Sequence, residues 1–363
     1  MKKIILANFL IEGTLKHAEV GFSEKIESIR ILGTAQKDLP KIIPGFIDLH
    51  IHGGGGADIM EGTEASSVIA RTHLKHGTTS FLATTMTAPH CDLVKAFEGI
   101  KAPFTKKEKN QARILGVHLE GPFISSDKLG AQPDFVRKAT LEEIKILHAL
   151  VPIKTLTIAP EVFQHMDLIK DLTQMNIVVQ IGHTNGSYEE GKFALDSGAK
   201  SFTHLFNAMS PFHHRSPGMV GAALAHAKHA ELIPDLLHVH PGAIKAALRC
   251  IPNLYFVTDA TSATGMPDGD YKLGTHTVHK CLGGVRLKDG TLAGSALTMD
   301  QAFRNLLTLG LSIEEASRRL SQIPAELIAV SDRGVIKEEA FADLIVLNDD
   351  LTLKEIYSEG ELV

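Results

Sequence analysis

Cysteine is scarce: Cys91, Cys250 and Cys281 are the 3 in 363 residues, and none has CxxC spacing. That argues against a disulfide framework or a structural zinc knuckle and fits a reducing compartment. Long hydrophobic runs are missing too. No segment reaches the roughly 20 apolar residues of a membrane span, so no membrane partner is expected. The opening MKKIILANFLIEG looks like a signal peptide at first glance. Its apolar run is short, and Glu12 ends it without a small-residue cleavage site, so it reads as a first β-strand and the protein is expected in the cytoplasm. An excess of positive charge is also lacking. The formal net charge is −5, which leaves no basic footprint for nucleic acid.

What is present is ordinary globular material, 44% hydrophobic and 22% charged, in a chain long enough for one large domain and something smaller. Short apolar runs separated by polar turns fill the beginning (Ile4 to Ile11, Ile26 to Leu32, Lys41 to Ile43), and ADLIVLN (Ala342 to Asn348) resumes that β pattern near the end. One small sheet domain made from residues 1–43 and 335–363, interrupted by a main domain over 44–334, is the expected organisation.

The middle alternates. Strands are expected at Pro44–His50, Thr78–Thr85, Arg113–Glu120, Lys154–Glu161, Asn176–His183, Lys200–Leu205, Glu231–His238 and Asn253–Asp259. Helical patterns lie between most of them, such as Glu64–His76, Leu141–Leu150, Tyr188–Asp196 and Pro241–Arg249. Strands alternating with helices imply an α/β fold with a parallel sheet, and eight such units imply closure into a TIM-type (β/α)8 barrel.

Potential metal ligands stand at the ends of these strands. His50 and His52 are two apart, so both imidazoles share a face. Glu120 closes an apolar strand before Gly121-Pro122, and His183 and His204 close two more. Imidazole with carboxylate is a ligand set for zinc-like metals. Asp259, at the end of the last strand, is placed to move a proton from water to a leaving nitrogen, with N-capping as its alternative. His118, one layer below Glu120, reads as a core or supporting histidine. One or two divalent ions are expected, zinc first, with iron, manganese or cobalt also compatible. On the long loop after the sixth strand, Arg215 is a natural grip for phosphate or carboxylate. His238 is positioned for ligand contact. His73, His76, His148, His165, His226 and His229 read as surface residues.

PGFIDLHIHGGGGAD (44–58), HLEGPF (118–123), GHTNGSYEEG (182–191), THLFNAMSPFHHRSPG (203–218), HVHPGAI (238–244), VTDATSATG (257–265) and LAGSALTMDQAFRNL (292–306) run in order across nearly the whole chain. With these stretches the chain resembles the N-acetylglucosamine-6-phosphate deacetylases of the amidohydrolase superfamily. The resemblance implies a distorted (β/α)8 barrel beside a small β-sandwich. It implies hydrolysis of an N-acetyl amino-sugar 6-phosphate to the free amine and acetate. It assigns the main metal to Glu120, His183 and His204, a second to His50 and His52, and the acid/base role to Asp259. Asn207, Ala208, Arg215 and His238 match the family's substrate and phosphate contacts. A homodimer is implied, in which Arg215 and His238 serve a neighbouring subunit. Two positions depart from the family. Gln132 stands where many members have a histidine that contacts the sugar and the acetyl carbonyl, and Leu236 stands in place of a glycine. A galactosamine counterpart, a cyclic-amide hydrolase and a catalytically silent barrel are the rivals. IKTLTIAPE offers no lysine at its strand end for the second of these, and the full ligand set counts against the third.

Overall fold

The computed structural model describes residues 2–363. Six strands form a curled parallel sheet in the order Phe46–Ile51, Thr78–Thr85, Arg113–Glu120, Ile153–Ile158, Val178–Ile181 and Ser201–Phe202. His229–Leu232 and Asn253–Phe256 make a separate parallel pair. Backbone bonds join this pair to both edges of the sheet. Leu205 N–H donates to Glu231 O at 2.8 Å on one side, and Asp259 N–H to His50 O at 3.0 Å on the other. Thr78–Thr85 is buried at every position, the pattern of a sheet covered on both faces.

Sequence explains the helices that return the chain between strands. Leu141–Leu150 starts where the Thr140 side chain accepts from Glu143 N–H, and Tyr188–Asp196 starts with a Ser187/Glu190 capping box. Pro241–Cys250 opens with proline in its first turn, where no intrahelical N–H is needed. Ile144 and Leu147 are among the side chains these helices bury against the sheet. Among the described residues, no helix is long and apolar enough to cross a membrane.

Both ends of the chain share one seven-stranded sheet, ordered Glu361–Leu362, Leu353–Ser358, Leu344–Leu347, Lys41–Pro44, Lys3–Ile11, Thr14–Phe22 and Ile26–Thr34. It has its own core, including Phe9, Val20, Phe22, Ile42 and Leu344. An ionic latch ties it to the curled sheet. Glu359 accepts from Arg113 at 2.9 and 3.0 Å, and from Lys107 at 3.2 Å. Arg333, which is buried, reaches both Glu359 and Asp343 at 2.5 Å.

Several expected boundaries are corrected. The seventh strand is His229–Leu232 and stops short of His238: Pro234 has no N–H to continue the ladder, and Leu236 then adopts a left-handed backbone (φ 66°). The strands expected to reach His183, His204 and Asp259 end at Ile181, Phe202 and Phe256. The ligands stand just past them, at φ 48°, 29° and 51°. Such angles cannot continue a β ladder. Two further features were not foreseen: the strand Thr14–Phe22, and a four-stranded antiparallel sheet of Gly269–Leu273, His276–Cys281, Gly284–Arg286 and Leu292–Ser295.

Candidate active site

His50 and His52, Glu120, His183, His204 and Asp259 meet at the carboxyl ends of the parallel strands, and all are buried. Two backbone choices make the approach possible. Gly53 turns the chain after His52, and a Cβ there would strike the backbone of Ser262 and Ala57. Gly121 follows Glu120 at φ 74°, and a Cβ there would strike the Thr87 side chain. Non-glycine residues in the left-handed region cost energy and gather at functional sites. Three of the six ligands occupy it here.

The six form two groups that share a neighbour. His50 Nε2 is 3.2 Å from His52 Nε2 and 3.4 Å from Asp259 Oδ1, and His52 Nε2 is also 3.4 Å from Asp259 Oδ1. His183 Nε2 and His204 Nε2 are 3.0 Å apart and lie 3.1 and 3.0 Å from Glu120 Oε1. The other oxygen of Glu120, Oε2, faces the first group, at 3.0 Å from His52 Nε2 and 3.4 Å from His50 Nε2. Glu120 therefore presents one oxygen to each group.

The donor set fits divalent cations. His52 Nδ1 lies 3.2 Å from Thr84 O, and His183 Nδ1 lies 2.8 Å from Lys128 O. A carbonyl only accepts, so each Nδ1 carries a proton and each ring turns its Nε2 inward. His50 Nδ1 is held likewise by Glu231 Oε1 at 2.7 Å. Imidazole nitrogens and carboxylate oxygens thus converge within each group. A tetrahedral shell with bonds of about 2.0–2.1 Å has edges of about 3.3 Å, close to these separations.

The local field says the same. Burial pushes the Glu120 carboxyl up, but facing His50 and the bonds from His183 and His204 outweigh it and hold the group well below the carboxylate range. Burial disfavours charge on His52, yet Asp259 and Glu120 raise it to about 9. The centre is built to hold positive charge. His118, by contrast, is driven down to about 3 by burial and then by His50, and stays neutral with its Nε2 2.8 Å from the Thr157 hydroxyl.

His52, Glu120, His183, His204 and Asp259 line a cavity of about 320 Å³, and His50 does not. Gln132, Asn207, Ala208 and His238 line it, together with Leu273, Leu292 and Gly294 from the unforeseen antiparallel sheet. Gln132 is engaged on both sides: Oε1 accepts from Thr87 N–H at 2.7 Å, and Nε2 donates to Glu120 Oε2 at 2.6 Å. His238 is oriented by Asp235, whose Oδ2 lies 2.6 Å from its Nδ1. Arg215 stands apart. It is exposed, donates to His214 Nε2 at 2.8 Å, and does not line the cavity.

Two histidines expected on the surface are buried. His73 Nε2 donates to Gly53 O at 2.8 Å and so braces the turn after His52, while His165 accepts from Ala139 N–H at 3.0 Å. Burial holds both at about 4. Sequence reasoning also missed two acids behind the ligands. Asp48 accepts from Thr258 and from His50 N–H, and burial raises it to about 7 against those bonds. Glu231 is buried beside His50. The available signal was a carboxylate within a short buried strand beside apolar residues, as in FIDLHI and HAEL.

Comparison with known proteins adds four matches. Residues 42–363 match the model of the amidohydrolase family. The chain is similar to the N-acetylglucosamine-6-phosphate deacetylase of Lysinibacillus sphaericus, 39% identical over 329 residues (88% of this chain, 85% of the relative). It is 34% identical over 350 residues to the N-acetylgalactosamine-6-phosphate deacetylase of Escherichia coli O157:H7 (94% and 92%). Its fold is similar to a mutant N-acetyl-D-glucosamine-6-phosphate deacetylase from Mycobacterium smegmatis solved with N-acetyl-D-glucosamine-6-phosphate, with TM-score 0.92, 30% identity and 99% of each chain covered.

Proposed function

The chain belongs to the amidohydrolase family, and within it we propose that this enzyme hydrolyses the acetamide of N-acetylglucosamine 6-phosphate to glucosamine 6-phosphate and acetate, in amino-sugar catabolism or recycling. One observation carries the chemistry: Glu120 presents an oxygen to each of two ligand groups, one of which includes Asp259, and five of the six residues line one cavity. The relatives carry the substrate.

His50, His52 and Asp259 would hold one divalent ion and Glu120, His183 and His204 the other, zinc being the first choice. Divalent metal bound there supplies Lewis acidity, which acidifies water and polarises the acetyl carbonyl. Asp259 accepts the proton of the attacking water as the new C–O bond forms. It then returns that proton to the amide nitrogen as the C–N bond breaks, releasing the amine and acetate. Gln132 lines the cavity, and its Nε2 has a second N–H beyond the one given to Glu120, which would serve the acyl oxygen. Asn207, Ala208 and His238, farther along the cavity, hold the sugar phosphate and fix the amide over the ligands. Arg215 would join them from a neighbouring subunit of a homodimer, which agrees with its exposure and distance from the cavity.

The two parallel sheets joined at both edges are read as one distorted (β/α)8 barrel, and the terminal sheet as the small β-sandwich domain built from residues 1–43 and 335–363. Three exposed free cysteines support a cytoplasmic setting. The E. coli relative favours a second reading, deacetylation of N-acetylgalactosamine 6-phosphate, which differs in the configuration of one hydroxyl.

The test is acetate release by metal-replete protein from N-acetylglucosamine 6-phosphate, its galactosamine counterpart and unphosphorylated N-acetylglucosamine. Fastest release from the gluco phosphate supports the proposal. Preference for the galacto phosphate supports the second reading, and equal turnover of the unphosphorylated sugar removes the phosphate grip.

A further inference from the structure

Glu231 stands where both ligand groups can be reached at once. It lies within the His229–Leu232 strand, fully buried. Its Oε1 accepts from His50 Nδ1 at 2.7 Å and from the backbone N–H of His204 at 3.1 Å. Its Oε2 accepts from Gln180 Nε2 at 3.0 Å and from the Tyr255 hydroxyl at 3.2 Å. His50 belongs to one group and His204 to the other. We infer that Glu231 is a positioning residue that fixes one ligand of each group, His50 by its ring and His204 by its backbone, and so makes the binding of the two ions interdependent.

Three physical points support this. The two imidazole nitrogens are linked, so a proton held on Nδ1 of His50 leaves the lone pair on Nε2, where it faces Glu120 and Asp259. A carboxylate behind the ring makes that lone pair a stronger donor than the carbonyls behind His52 and His183 do. His204, finally, has no partner for Nδ1 among the described residues, so its ring is not held from behind. It sits at φ 29°, and its main chain is held instead, by the side chain of Glu231 and by the adjoining bond from Leu205 N–H to Glu231 O. Four donors fill both lone pairs of each carboxylate oxygen, so the group is satisfied without leaving the interior.

Glu231→Gln keeps the size of the side chain. Its amide nitrogen can turn to Gln180 and Tyr255, both able to accept, while the negative charge behind His50 is lost. Tyr255→Phe is the control, because it touches only Oε2 and the Ser201 hydroxyl.

The experiment uses full-length chain stripped of metal and titrated with Zn²⁺, with bound zinc counted and folding followed by circular dichroism. The inference rests on the proposed metal centre, and the wild-type protein tests that part alone: fewer than two zinc ions per chain would remove it. Given two, Glu231→Gln is expected to weaken binding of both ions about 10–100-fold while remaining folded, and Tyr255→Phe to leave both affinities unchanged. Wild-type affinities in Glu231→Gln overturn the inference. Equal weakening in Tyr255→Phe also overturns it, since any damage to the buried network would then suffice. If Glu231→Gln does not fold, Glu231→Asp titrated in the same way decides. Weakened binding of both ions supports the inference, and wild-type affinities overturn it.

Discussion

Replacing Glu359 with Gln removes the centre of the latch between the terminal sheet and the curled sheet. Arg113, Lys107 and Arg333 all address this carboxylate, and Asp343 takes its backbone N–H at 2.8 Å. Burial opposes its charge, but Arg113, Arg333 and Lys107 prevail and lower the group from 4.5 to about 2. A carboxyl depressed on folding contributes stability above its unfolded pKa and loses it as pH falls toward its folded pKa. At about 1.4 kcal/mol per unit, the contribution is about 3 kcal/mol at pH 7 and falls to about 1.5 kcal/mol near pH 3. The glutamine variant cannot titrate there. Urea unfolding at a series of pH values should therefore show a deficit of about 2–3 kcal/mol at pH 7 that roughly halves by pH 3. A deficit near zero at pH 7, or one that does not shrink in acid, would refute the latch as the origin of the effect. Arg113 begins the strand that ends in Glu120, so the same latch anchors the far end of the element that carries the carboxylate facing both groups.

Asp259→Asn should lower kcat/KM for the phosphorylated sugar by about 10²–10⁴-fold, the usual share of general acid–base catalysis. Asparagine tolerates the left-handed backbone at 259 and keeps one oxygen for a cation, so zinc counted per chain should stay near the wild-type value. Gly121→Ala should cost about 2 kcal/mol or more and reduce bound metal, because the new methyl would collide with Thr87 and displace Glu120. Thermal unfolding and metal analysis of the same preparation check both effects.

The candidate ligands are legible where the local sequence leaves little choice. His50 and His52 alternate on one strand and meet a glycine turn. Glu120 ends an apolar run at Gly-Pro, and that strand, Arg113–Glu120, was placed to the residue. The ends of the strands leading to His183, His204 and Asp259 were not legible, because the left-handed angles come from tertiary constraint and not from propensity. Glu231 was hidden for a similar reason. An acid in an apolar strand reveals a buried partner only once the fold shows which donors surround it. The edge strand Gly269–Leu273 is partly exposed, so its alternation is weak, yet with Leu292–Ser295 at the other edge of the same sheet it lines the cavity. His73 could have been found, since it follows Ile69 by four and sits on the same buried stripe of its helix. His165 could not, being in a short turn of helix without periodicity.

The most direct test of the central claim is one titration: acetate released from N-acetylglucosamine 6-phosphate by chelator-treated protein as Zn²⁺ is returned, with zinc bound per chain measured at each point. The account predicts negligible release from stripped protein, recovery in step with zinc bound, and one free amine for each acetate. Release that persists without metal, or no release from protein carrying its full complement of zinc, would contradict it.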